Sequence, residues 1–287
     1  MENYLSQFFN YLLNVMISTF NQLFILFGPF LVLVLLLNLS ARLTTRMSVR
    51  FWGRDLFLYG FSWLGCSVHE LSHAFFALIF GHKINQMALF EPNNDGESLG
   101  HVSHSYNKRS FYQKTGNFFI GTGPLLAGGI VMFIIIILLF NFNITRLSSF
   151  RITSHVFTDI LLLKHITTGV WSGLLFCFNM IFTGIGSAWW KSVIIIYVLY
   201  STGSSMTLSK SDVGSAFLGF FWVIVIFLLF NLMTLWTGNF LSDFLVSVAD
   251  YISGFYFLLI LSLMANLIFI IILFVLNLIK SLIFGSN

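Results

Sequence analysis

Apolar stretches of the length needed to cross a lipid bilayer recur along most of this chain. A membrane-spanning helix takes about 20 mostly apolar residues. The candidate stretches are 23–39, 56–81, 117–140, 157–201, 213–237 and 253–279. The fourth is long enough for two spans, separated at Gly184-Ile185-Gly186-Ser187. The pattern therefore predicts an all-α polytopic membrane protein with about six or seven transmembrane helices.

The first 22 residues carry a polar stripe on an otherwise apolar background. Its members recur every three or four positions, which is typical of one face of a helix; they are Asn3, Gln7, Asn10, Asn14, Ser18 and Asn21. We expect an amphipathic N-terminal helix over 1–22. It either lies in the membrane interface or spans the membrane with its amides facing other helices, including those of a partner membrane protein. Its start lacks the basic segment of a cleavable signal peptide.

The longest polar stretch, 82–117, follows the apolar stretch 56–81 directly. Residues 84–90 and 99–106 have the composition of short strands, and the segment 91–96 between them is rich in turn-forming residues. The sequence therefore predicts a small β-hairpin insert immediately after a membrane-embedded helix.

The amino-acid composition also indicates that the chain is embedded in a lipid bilayer. Hydrophobic residues make up 57% of the 287 residues and charged residues 8%, against about 25% charged in soluble domains. No polar stretch can build a separate water-soluble core, so we expect one membrane-embedded domain over 1–287, an integral multi-pass protein of the cell membrane. The net charge of +4 is spread along the chain, which excludes a nucleic-acid-binding surface.

Basic residues flank the stretch 56–81 on both sides and leave its orientation open. Four precede it and four follow it, so the positive-inside rule gives a tie; they are Arg42, Arg46, Arg50 and Arg54, then Lys83, Lys108, Arg109 and Lys114.

The stretch 56–81 contains His69-Glu70-Leu71-Ser72-His73. Two histidines four positions apart lie on one face of a helix and can bind one metal ion. Glu70 lies beside them, where a carboxylate can accept a proton from the attacking water of a zinc hydrolase. Ionisable side chains in apolar helices are costly and are kept for function. The motif predicts a catalytic site with one Zn²⁺ ion, in which Glu70 is the base.

A catalytic zinc site needs a third protein ligand, and the residues alone leave two candidates. Asp212 precedes an apolar stretch, but Ser209 three positions earlier makes a helix-capping role equally good. Asp159 begins another stretch and is also explained as an acidic residue in a first helical turn.

Other candidate side chains have ordinary explanations. We expect His101 and His104 to make polar contacts near the site and Cys66 to be a small buried residue. His155 and His165 flank Asp159 in the sequence and are candidates for a second cluster.

Two motifs resemble those of the site-2-protease type of membrane-embedded zinc metallopeptidase. They are His69-Glu70-Leu71-Ser72-His73-Ala74 and Gly121-Thr122-Gly123-Pro124-Leu125-Leu126. In that family a partly β-structured segment follows the motif helix, a Gly-Pro-containing span comes next, and a later helix supplies an aspartate ligand. The order here is the same, and the resemblance covers about 60–140 well. It favours Asp212 as third ligand, although Val213 separates Asp212 from Gly214, where the family has a Leu-Asp-Gly context.

The resemblance implies an intramembrane zinc endopeptidase that cleaves membrane-anchored protein substrates. His69, His73 and Asp212 would hold the zinc, Glu70 would act as base, and a strand within 84–106 would hold the substrate extended by edge pairing. The alternative is a non-enzymatic membrane scaffold or metal-transport subunit. A metal transporter would be expected to carry ionisable residues along several spans. Here they are concentrated in one helix, which disfavours the transport alternative.

Overall fold

Long helices dominate the part of the chain that the structure describes. This computed structural model describes residues 2–92, 99–140 and 188–284, with the single helical positions 171, 175 and 179. In chain order the elements are α1 (Glu2–Trp52), α2 (Arg54–Phe57), a π-helical turn (Leu58–Ser62), α3 (Trp63–Ile79), β1 (Lys83–Ala88), β2 (His101–Ser105), α4 (Phe111–Phe140), α5 (188–204), α6 (Lys210–Thr234), α7 (Phe240–Ser247) and α8 (Ala249–Phe284).

Four helices in this part of the chain are long and apolar enough to cross a membrane: α1, α4, α6 and α8. They overlap the predicted spans 23–39, 117–140, 213–237 and 253–279, so the prediction of a helical membrane protein is confirmed at this level. The motif helix α3 has 17 residues, fewer than one crossing needs, but α2 and the π-helical turn precede it directly. Most of 157–201 lies outside the described residues.

The amphipathic segment and the first predicted span form a single helix. α1 has 51 residues and passes through Pro29 without ending. At about 1.5 Å per residue it is roughly 75 Å long, more than one crossing requires. Gln7, Asn10 and Asn14 of the polar stripe are exposed on the surface of the chain.

Buried amides tie α1 to the helices around it. The side chain of Asn231 in α6 donates hydrogen bonds to Thr19 and Gln22 of α1. Asn266 in α8 donates to the carbonyl oxygen of Gly203 in α5, and Thr44 of α1 donates to Asn266. In an apolar bundle such bonds between helices fix which faces meet. The apolar core between them includes the fully buried Leu37, Leu125, Met132 and Leu259.

The predicted hairpin is confirmed. β1 pairs with β2 in antiparallel fashion, with Lys83 opposite Ser105 and Met87 opposite Val102, and the register shifts between Ile84 and Gln86. The hairpin folds back along α3. Gly100, just before β2, lies so close to this helix that an added Cβ would stand 2.8 Å from Cγ of Glu70.

Candidate metal centre

The two motif histidines of α3 are each held by a backbone carbonyl. Nδ1 of His69 is 3.0 Å from the carbonyl oxygen of Ser205, and Nδ1 of His73 is 2.8 Å from that of Ile120. A carbonyl only accepts, so each Nδ1 carries the hydrogen and donates it. The lone pair of each Nε2 is then free to bind a metal ion. Bonds of this kind are the usual support of metal-binding histidines, because they fix both the tautomer and the ring orientation.

Asp212, in the first turn of α6, faces both Nε2 atoms. Its Oδ1 is 3.4 Å from Nε2 of His73, and its Oδ2 is 3.8 Å from Nε2 of His69. Three donor atoms, one from each residue, lie within 4.8 Å of one another. Donors at about 2.0–2.2 Å from one ion in tetrahedral geometry stand roughly 3.4 Å apart. The three side chains therefore form a group that could hold a metal ion.

Asp212 also caps its own helix. Its Oδ2 accepts a hydrogen bond of 2.8 Å from the backbone N–H of Ser209, and its backbone N–H donates to Oγ of Ser209 at 3.1 Å. This is a complete capping box. The sequence presented capping and metal binding as alternatives. In the structure one carboxylate is placed for both, because the cap holds it in the orientation that faces the histidines.

Glycines allow the helices of the centre to approach closely. A Cβ at Gly121 of α4 would stand 2.4 Å from the carbonyl oxygen of Asp212, and one at Gly219 of α6 would stand 2.0 Å from the backbone nitrogen of Phe118. Any side chain at these positions would push α4 and α6 apart. Since Ile120, next to Gly121, holds His73, this contact brings Asp212 to the histidine.

A third glycine has the same effect on the other histidine. A Cβ at Gly65 of α3 would stand 2.1 Å from the carbonyl oxygen of Ser201 in α5. The backbone N–H of Gly65 also donates to Oγ of Ser201. This close contact between α3 and α5 places the carbonyl group of Ser205 against His69.

Glu70 lies beside the three possible ligands without belonging to their group. It is 7% exposed and lines a cavity of about 800 Å³ that the three ligand residues also line. Binding sites for small molecules are commonly of this size. Glu70 is thus a buried carboxylate that reaches the same space as the candidate metal ligands.

The other candidate side chains fall into three groups. His101 and His104 line the cavity, and neither belongs to the metal-binding group found among the described residues. Cys66 is buried with a free thiol, as expected of a small core residue. Asp159, His155 and His165 lie outside the described residues, so Asp159 is untested as a ligand.

His104 and His82 form a hydrogen-bonded pair at the base of the hairpin. Their Nδ1 atoms are 3.0 Å apart, and Nε2 of His82 is 2.8 Å from the carbonyl oxygen of Gln113. Nε2 of His82 therefore carries a hydrogen. Burial lowers the pKa of both imidazoles, and at His104 the neighbouring His82 ring lowers the pKa further.

This pair predicts a loss of stability in mild acid. The native pKa values lie below the unfolded value of about 6.5, so as the pH falls below about 6.5 the unfolded chain takes up protons that the native chain does not. The free energy of unfolding should decrease over that window. Thermal unfolding in detergent between pH 7.5 and 5.5 checks this. The variant with both His82→Gln and His104→Gln should show a smaller pH dependence, and an unchanged dependence would contradict the prediction.

In comparisons with known proteins, no family model, no curated protein and no solved structure matches this chain. These comparisons therefore assign the chain to no family.

Proposed function

We propose that the chain is an intramembrane zinc endopeptidase that hydrolyses peptide bonds of membrane-anchored proteins. One observation carries the proposal: three donor atoms of His69, His73 and Asp212 lie within 4.8 Å of one another, with both Nδ1 atoms engaged by carbonyl groups. Two imidazole nitrogens and one carboxylate oxygen are a donor set found at catalytic zinc sites, where the fourth position stays open. The centre would hold one Zn²⁺ ion, and the whole chain would be a multi-pass protein of the cell membrane with six or seven spans.

Each residue of the centre has a separate role in this chemistry. His69, His73 and Asp212 would hold the zinc, which supplies Lewis acidity to the scissile carbonyl group when bound. Glu70 takes the proton of the attacking water and returns it to the nitrogen of the leaving amine. Glu70 is 7% exposed, and its side chain lies against Gly100.

The hairpin is well placed to hold the substrate. Gly100, His101 and Val102 line the cavity at the start of β2. A substrate segment that pairs with a strand edge is held extended, which exposes its peptide bonds at regular intervals. We propose that an unwound segment of a membrane-anchored protein enters the cavity in this way.

The metal content of the purified protein tests the centre. We expect about one zinc ion per chain, since the three donors form one mononuclear site. His73→Ala should lose the zinc, because two donors hold it too weakly. His101→Ala is the matched control: it removes another histidine from the same cavity and should keep the zinc. The measurement is metal analysis after dialysis of the protein in detergent micelles.

Cleavage tests the activity itself. Purified protein loaded with zinc is incubated with solubilised membrane proteins, and new N-termini are identified by mass spectrometry. New N-termini that disappear with His73→Ala support the endopeptidase. Zinc bound without any cleavage would instead support the non-enzymatic alternative, and retention of zinc in the combined His69→Ala and His73→Ala variant would refute the centre.

A further inference from the structure

Three arginines line the same cavity as the candidate metal centre. Arg42 and Arg46 come from the C-terminal part of α1, and Arg54 begins α2. Arg42 and Arg46 are four residues apart and so lie on one face of α1. Residues of β2 line this cavity too, so these arginines share a space with the strand proposed to hold the substrate. No pattern in the sequence predicts that these arginines meet at this cavity.

Arg42 is held in place by neutral acceptors. Its Nη2 donates to the carbonyl oxygen of Leu208 at 3.2 Å, and its Nε donates to Oδ1 of Asn38 at 3.1 Å. Leu208 is next to Ser209, the residue that caps α6 together with Asp212. Among the described residues, neither Arg42 nor Arg46 has a carboxylate within 4.0 Å. A guanidinium group has five N–H donors, so both side chains keep donors for a ligand.

The charges around the cavity favour an anionic ligand. Among the described residues, the lining includes the cationic Arg42 and Arg46 beside Arg54, which has an interaction of its own, and the carboxylates of Glu70 and Asp212. A divalent ion in the proposed centre would offset these two carboxylates, so among the described side chains the guanidinium groups of Arg42 and Arg46 remain as uncompensated positive charge. Clefts lined by one sign of charge concentrate ligands of the opposite sign. The planar guanidinium fork matches the two oxygens of a carboxylate.

We propose, resting on the proposed function, that Arg42 and Arg46 form a subsite for a carboxylate of the peptide substrate. The enzyme then cleaves at a fixed distance from that carboxylate, and the subsite sets which bond reaches Glu70. The carboxylate belongs to an aspartate or glutamate side chain near the scissile bond or to the C-terminus of the segment that enters the cavity.

The test uses the zinc-loaded full chain in detergent micelles and a library of peptides from a digested proteome. Mass spectrometry of the products should show Asp or Glu enriched at one fixed position from the cleaved bond. In a matched synthetic peptide, replacing that residue by Asn or Gln should lower kcat/KM by about tenfold to a hundredfold, the range for a lost charged hydrogen bond. If amidating the C-terminus has this effect instead, the terminal carboxylate is the source.

Variants assign the preference to the two arginines. The combined Arg42→Gln and Arg46→Gln variant should cleave the acidic peptide and its amide counterpart at equal rates. Arg50→Gln is the matched control, since Arg50 lies on the same helix, is exposed and does not line the cavity. Because Arg42 also ties α1 to Leu208, Arg46→Glu alone provides a second variant, which should shift the preference towards peptides with Lys or Arg at the same position.

The outcomes separate this inference from the proposed function. Cleavage without any carboxylate preference, or a preference that survives both arginine variants, overturns the subsite and leaves the endopeptidase standing. Inhibition of the wild type but not the double variant by phosphatidylglycerol, again without a carboxylate preference, assigns the arginines to a lipid phosphate instead. Absence of cleavage by the wild type, or cleavage that persists unchanged in the combined His69→Ala and His73→Ala variant, overturns both proposals together.

Discussion

Glu70→Gln is expected to abolish peptide-bond hydrolysis while the protein keeps its zinc. The amide has nearly the shape of the carboxylate but cannot accept the proton of the attacking water. General acid–base catalysis contributes about 10²–10⁴-fold to such reactions, so kcat/KM should fall by at least that factor. Zinc content should stay near one ion per chain, because Glu70 lies outside the group of three donors. Both quantities are measured on the same preparation.

The matched control for this prediction is Glu91→Gln. Glu91 is an exposed residue just after β1, and the substitution makes the same change of charge away from the cavity. It should leave kcat/KM and zinc content unchanged. Full activity of Glu70→Gln on any peptide would remove Glu70 from the mechanism, and loss of zinc in that variant would make Glu70 a ligand rather than a base.

The features that could be predicted from the sequence are those that depend on short stretches of neighbouring residues. The stretches that form α4, α6 and α8 are long and apolar, and the turn-forming segment 91–96 separates two short strand-like stretches that pair as expected. The spacing of His69 and His73 places them on one helical face whatever surrounds the helix. In each case the information lies within a few residues.

Local patterns also misplaced one boundary. The change from the amide-striped segment to the apolar run near residue 22 indicated two elements, and the structure continues α1 through it and through Pro29. Nothing in that transition breaks a helix, because amides are tolerated within helices. The change in composition alters which side chains the helix presents to its surroundings, and it leaves the helical backbone continuous.

The support of the candidate centre could not be read from the sequence. The carbonyl groups of Ser205 and Ile120 hold the histidines, and a backbone carbonyl has no residue-type signal. The glycines that allow the helices to approach closely are visible in the sequence. Gly121 belongs to one of the two motifs of the family resemblance, and Gly65 is one turn before His69. Their meaning becomes visible only when their neighbours, α6 and α5, are known.

Asp212→Asn is expected to lose zinc while α6 keeps its cap. The amide oxygen of Asn can still accept from the N–H of Ser209, so the unfolding temperature of the metal-free protein should change little. As a metal ligand, however, a neutral amide is much weaker than a carboxylate. Loss of an outer-shell partner alone typically costs ten- to a hundredfold in metal affinity, so removing this ligand should cost at least about a hundredfold. Zinc titration against a competing chelator measures it.

Ser209→Ala makes the complementary change and separates the two roles. It removes the hydroxyl group that accepts from the backbone of Asp212 and should cost about 1 kcal/mol of stability, as lost helix caps do. The carboxylate remains, so zinc affinity should fall far less than in Asp212→Asn. If Asp212→Asn instead binds zinc as the wild type does, Asp212 is only a cap and the third ligand lies elsewhere, with Asp159 the first residue to replace. The opposite effects of the two variants would show that one side chain serves both the helix and the metal.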